Sequence, residues 1–128
     1  MELSYAKKYQ VVYLYTKPYL DKKDNGKAVE YYDMVINKYP DSMWTDYAQY
    51  QIANISMLNA KYDQAILAYQ SIFINFPDTD LRDKVIFQLG VAYFNRGDYE
   101  NASVEFERFI REYPEDRLAD QAKLYTAN

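Results

Sequence analysis

The chain contains no cysteine and no histidine. Their absence removes disulfides, thiolate zinc sites, imidazole metal ligands and the commonest general base together, and no cofactor is expected. Long apolar runs are missing too. Stretches such as Val11 to Tyr15 fall far short of the roughly 20 residues that cross a bilayer as a helix. Residues 1 to 20 carry Glu2, Lys7, Lys8 and Lys17 without a small-residue cleavage site, so no signal peptide is read there. Positive charge is not in excess: 15 Lys and Arg stand against 19 Asp and Glu, interspersed, for a net charge of -4. That argues against the basic field a phosphate backbone needs, and so against nucleic acid as a partner. Cysteine-free composition suits an oxidising compartment and a reducing one equally.

What is present is apolar and aromatic. With 128 residues, 49% of them apolar and 18% aromatic, one domain with a genuine core is expected. Three of the four prolines follow an aromatic residue, in Tyr39-Pro40, Phe76-Pro77 and Tyr113-Pro114, each 37 residues after the last. The same offset aligns Ala28, Ala65 and Ala102. It also aligns Tyr32, Tyr69 and Phe106, then Val35, Ile72 and Phe109, and sets Tyr50-Gln-Ile-Ala53 on Phe87-Gln-Leu-Gly90. Repetition at this period means stacked supersecondary units.

Within a unit the apolar residues recur at three and four, as in Ala65, Tyr69, Ile72 and Phe76, which is one face of an α-helix. Two such stretches fill each unit. Asn59-Ala60-Lys61 and Arg96-Gly97-Asp98 separate them, with Gly97 suited to a left-handed turn and Asp98 to a cap. The prolines mark the second break, where the Asp or Thr that follows offers an oxygen to the next helix. Seven helices are predicted, over 3–17, 25–39, 43–58, 62–75, 80–95, 99–112 and 117–127. Small residues at Ala53, Gly90, Ala65 and Ala102 mark close helix crossings, and Tyr32, Tyr62, Tyr69, Tyr93 and Tyr99 are assigned to the core.

The spacing from Leu89-Gly90 through Tyr93, Ala102 and Phe106 to Pro114, matched by Ile52-Ala53, Ala65, Tyr69 and Pro77, resembles the tetratricopeptide repeat. The extra residues after the proline and Tyr-Pro-Asp-Ser at 39–42 resemble the longer variant of bacterial envelope proteins of the outer-membrane assembly and Tol-Pal systems. The resemblance implies an all-α, right-handed solenoid of antiparallel helix pairs in one domain, 1–128, with units about 4–40, 41–77 and 78–114 and a terminal helix in 115–128. Thr16, Pro18 and Asn25 depart from the pattern, so a kinked or shifted first helix is expected. The last unit stops after one helix, as a cap or as part of a longer array. A periplasmic or envelope location is implied, with the cytoplasm as the alternative.

The same resemblance places the inner face of each unit's first helix along a concave groove. Carried onto this chain, it assigns partner contact to Tyr47, Tyr50, Gln51, Asn54, Lys84, Phe87, Gln88 and Val91, with Met57 and Asn95 beside them. A carboxylate clamp of the kind some members possess is not expected, because Tyr50 and Gln88 stand where it has cations. The acids of Asp78-Thr-Asp80-Leu-Arg-Asp83 lack the glycine and distal glutamate of a calcium loop and read as helix caps. Asn54-Ile-Ser56 and Asn101-Ala-Ser103 match the glycosylation sequon but lie inside predicted helices. The expected function is a non-catalytic scaffold for a protein or peptide partner, without membrane insertion. The alternative is a structural role as a stacking or oligomerising segment of a longer repeat array, with self-association through the terminal helices, and carboxylate-pair catalysis requires two converging acids in a pocket.

Overall fold

The computed structural model describes residues 25–38 and 44–127, and all of its regular structure is helical. Six helices follow in order: α1 (Asn25–Lys38), α2 (Trp44–Leu58), α3 (Tyr62–Asn75), α4 (Arg82–Arg96), α5 (Tyr99–Glu112) and α6 (Leu118–Thr126). The predicted helix over 3–17, its expected kink and the Tyr39-Pro40 turn lie outside the described residues. Each helix packs on its neighbours in sequence, and α2 also touches α4 across the intervening α3. This is an α-solenoid of helix pairs, α2 with α3 and α4 with α5.

The proline turns are built identically 37 residues apart. Phe76 and Tyr113 leave the helical region, at φ/ψ of -136°/67° and -133°/57°, as suits a residue that a following proline disfavours from the helix. Their N–H groups close the helices on Ile72 and Phe109. Their carbonyls accept from the N–H of Thr79 and Asp116, both at 3.1 Å. Thr79 Oγ1 then accepts the N–H of Leu81 at 3.1 Å, and Asp116 Oδ1 that of Leu118 at 2.9 Å. A hydroxyl and a carboxylate thus perform one task at one repeat position. Asp78 and Asp80, read as caps from sequence, are exposed, while Thr79 makes the bond.

The shorter turns differ from each other. Gly97 ends α4 at φ +90°, and Asp98 caps α5 by accepting the N–H of Asn101. Ala60 holds the equivalent left-handed position after α2 at φ +57°. Its Cβ then crowds the backbone, which costs roughly 1 to 2 kcal/mol.

The packed interior forms three clusters along the chain: Tyr32, Ala28, Ala48 and Ile55 between α1 and α2; Tyr69, Ile72, Ala53 and Leu89 across α2 to α4; and Phe87, Phe106, Phe109 and Ala122 across α4 to α6, the last two bridged by Phe73 and Tyr93. Two ionic straps bind its surface. Arg82 grips Glu112 with Nε to Oε1 at 3.0 Å and Nη2 to Oε2 at 3.3 Å, its guanidinium 5.5 Å from the Phe73 ring centre. Arg96 joins the starts of α3 and α5 by contacting Asp63 at 2.6 Å and Asp98 at 3.2 Å.

Replacing Ala60 by Gly removes the left-handed strain while loosening the unfolded chain. The first effect is larger, so Ala60→Gly should stabilise by about 0.5 kcal/mol in urea unfolding. A loss of stability would show that the turn carries no strain.

Candidate partner-binding groove

The contact between α2 and α4 brings the first helices of two successive pairs side by side, and the residues between their cores form the candidate surface. Gln51 and Gln88, one repeat apart, are both half-buried, and Tyr47, Tyr50 and Val91 are half-buried beside them. Lys84 is exposed, its ammonium 3.9 Å from Asp83. Near it, Asp83, Lys84, Asp116, Arg117, Leu118 and Gln121 line a cleft of about 610 Å³. The surface is amide-rich and aromatic, and its cations alternate with acids.

Several of the predicted contact residues have structural duties: Tyr47, Tyr50 and Val91 pack in part against the buried clusters, and Phe87 and Asn54 are more fully committed. Phe87 is buried, with its ring edge-on to Phe106 and Phe109 at 5.6 Å each and to Tyr125 at 6.2 Å. Its ring is taken up by the next helices and offers almost no surface; this corrects the assignment of Phe87 to the groove. Asn54 Oδ1 accepts the hydroxyl proton of Tyr69, and its amide reaches Gln51 Oε1 at 3.4 Å. Burial raises the Tyr69 hydroxyl far above its ordinary value, so it stays a donor and holds Asn54 in place. Tyr50, whose ring lies 6.1 Å from that of Tyr69, is also raised by burial, against the opposing influence of Asn54. Met57 packs against the middle cluster, and Asn95 is exposed.

The tyrosine assignment needs a second correction. Tyr32 and Tyr69 are buried as expected, and Tyr62 and Tyr93 partly so, but Tyr99 is 61% exposed. It opens α5, and its ring meets the Phe94 ring edge-on at 5.0 Å.

Two features escaped the sequence reading. Glu105 on α5 is buried, 3.3 Å from Arg108, yet its Oε2 receives no hydrogen bond. The register shows the anomaly, because Ala68 holds that position one unit earlier. Burial lifts the Glu105 carboxyl above the ordinary glutamate range, with Arg108 and Arg82 opposing. Glu112, seven residues on, is held low chiefly by its bond to Arg82. Neither acid lines the clefts at α4–α6 or at Ala60 to Gln64. Among the described residues no cluster of three or more acids is placed to hold a metal ion. The second missed feature is Leu124, 71% exposed at the open side of α6.

Similarity to known families agrees with this geometry. Residues 50–126, more than half of the chain, match a family described as outer membrane lipoprotein, YfiO. The chain belongs to the YfiO family. Residues 11–42 match the tetratricopeptide repeat, so this YfiO-family chain carries tetratricopeptide-type helix pairs. The N-terminal domain of stress-induced protein-1 (STI-1) from C. elegans superposes with a TM-score of 0.73 at 17% identity, over 93% of this chain and 97% of that one. At that identity the likeness concerns the fold alone. Among curated proteins no sequence matches the chain significantly. No helix among the described residues is long and apolar enough to cross a membrane.

The Glu105 carboxyl binds its proton more tightly folded than unfolded. Its contribution is therefore most favourable below the ordinary glutamate range and is lost as pH rises through the raised value. Glu105→Gln should melt a few degrees above the parent near pH 7, with the gap closing below about pH 4. Thermal melts across that range check it; a pH-independent difference would contradict the account.

Proposed function

We propose that this chain is a non-catalytic scaffold that holds a peptide segment or partner helix along the α2–α4 face, within bacterial envelope assembly. The observation that carries the reading is a contrast between two sets of positions. Packing positions repeat in kind, as with Ala65 and Ala102 or Tyr69 and Phe106, and are buried. On the shared face of α2 and α4, Tyr47 gives way to Lys84 one unit later, while Gln51 and Gln88 keep an amide at the surface. A generic framework bearing a variable face is what a partner-specific surface requires. Gln51 and Gln88 supply paired donors and acceptors, and the uncovered edges of Tyr47 and Tyr50, whose rings pack against the α1–α2 and α2–α4 clusters, add rigid contact area with polar tips. Membership of a family described as outer membrane lipoprotein supports the envelope setting. The cytoplasm and a stacking role within a longer array are the alternatives.

The structure dictates which variants test this. Asn54 is unsuitable, because its removal strands the buried Tyr69 hydroxyl at a cost of roughly 1 to 3 kcal/mol. Gln51→Ala, Lys84→Ala and Gln88→Ala lie outside the packed clusters. The triple variant should keep its helicity, melt within a few degrees of the parent, and lose the partner that the parent captures from detergent-solubilised source cells. A folded triple variant that still captures the same partner would remove the groove from the account and favour stacking through the helix ends.

A further inference from the structure

Gln51 and Gln88 occupy one repeat position and are both half-buried, but they stand on unlike foundations. Around Gln51 are Tyr50, Asn54 and Tyr69; the same three positions around Gln88 hold Phe87, Val91 and Phe106. Bulk is kept from one unit to the next, and the polar atoms are removed together. Phe106 is as fully buried as Tyr69, so stacking of the units does not need the polar set. Nor does a buried hydroxyl–amide pair add much net stability, because it exchanges bonds to water for bonds within the protein. The polar groups under Gln51 require another reason.

Their bonds supply it. The Tyr69 hydroxyl donates to Asn54 Oδ1, which turns the Asn54 amide nitrogen toward Gln51, where it donates to Oε1 at 3.4 Å. Burial keeps the Tyr69 hydroxyl protonated, so this relay does not reverse direction. Tyr50 stands beside it, its ring 6.1 Å from that of Tyr69 and its hydroxyl under the influence of Asn54. With Oε1 engaged, the Gln51 carboxamide has its two N–H groups left for the groove. At Gln88 the relay position is Val91, which has nothing to donate.

We infer that Tyr69 and Asn54 are positioning residues that lock Gln51 as a hydrogen-bond donor, so that the α2 end of the groove takes a carbonyl oxygen of an extended partner segment. An extended segment offers a main-chain carbonyl at every residue, whereas a partner helix spends its own internally. The inference rests on the α2–α4 face being the partner's seat.

Tyr69→Phe with Asn54→Val gives α2 and α3 the residues of α4 and α5 and strands neither partner, so this release variant should match the parent in circular dichroism. With no partner present, nitrogen relaxation of the side-chain amides should show Gln51 rigid and Gln88 mobile in the parent, and both mobile in the release variant. Toward the partner that the parent captures, the release variant should bind about fivefold more weakly, the cost of freezing one long side chain. It should lose nothing further when Gln51 is already Ala. Gln51→Glu, which still accepts from Asn54 but turns an oxygen to the groove, should bind as weakly as Gln51→Ala. Equal mobility of the two glutamines in the parent, or of Gln51 before and after release, would overturn the relay. An equal loss in the Gln51→Ala background would make Asn54 and Tyr69 structural or direct contacts, and undiminished binding by Gln51→Glu would mean that the partner presents a donor. If the mobility contrast held while none of these variants altered capture, the relay would stand and the α2–α4 seat would fall.

Discussion

The contact on which the structure depends is the approach of an aromatic ring to a residue with almost no side chain. A Cβ built on Gly90 would lie 2.8 Å from the Phe106 ring, closer than carbon atoms can stand. Glycine inside a helix costs roughly 1 kcal/mol relative to alanine, and here the crossing requires it. With the ring seated against α4, Phe106 is fully buried, Phe87 meets it edge-on, and Tyr125 stacks on it at 4.5 Å from the following helix. One ring thereby joins α4, α5 and α6. Ala53 and Tyr69 make the equivalent arrangement one unit earlier, within the same buried cluster. There the aromatic is a tyrosine, and its hydroxyl binds Asn54.

Because each unit is completed by its neighbour, function is left to what the stacking does not use. On the side where α2 meets α4, that remainder is a neutral, amide-rich strip with scattered charge. The straps Arg82–Glu112 and Arg96–Asp63 are exposed to differing degrees and contribute modestly, since water and salt screen such pairs. Their geometric effect is to hold α3, α4 and α5 in fixed order, so that the strip is presented by a rigid support.

Helix positions were legible because the 37-residue offset and the three-four apolar spacing report the same packing twice. Ala65, Tyr69 and Ile72 with Ala102, Phe106 and Phe109 name the buried face without further information. Helix ends were less legible, as with α4, which starts at Arg82 because Thr79 caps Leu81, two residues later than its acids suggest. The site was harder to read. Phe87 and Gln88 are adjacent in sequence, yet one enters the core and the other the surface, and only the direction of the next helix decides which. Asn54 has the chemistry of a contact residue, but its Tyr69 partner lies 15 positions away. Glu105 stands out only when the register sets it against Ala68. Residue type thus identified the scaffold, whereas the allocation of polar groups between scaffold and surface required coordinates.

The central claim is that the Gly90–Phe106 crossing sets the packing, and a double-mutant cycle in urea tests it most directly. In the parent, Gly90→Ala should destabilise by about 1 to 3 kcal/mol, because the new methyl group meets a buried ring that cannot withdraw. In a Phe106→Ala background the obstacle is gone, and the same change should instead stabilise by roughly 0.5 to 1 kcal/mol, the ordinary helical advantage of alanine over glycine. If Gly90→Ala had the same sign and size in both backgrounds, the crossing would not be governed by this contact and the account of the stack would fail.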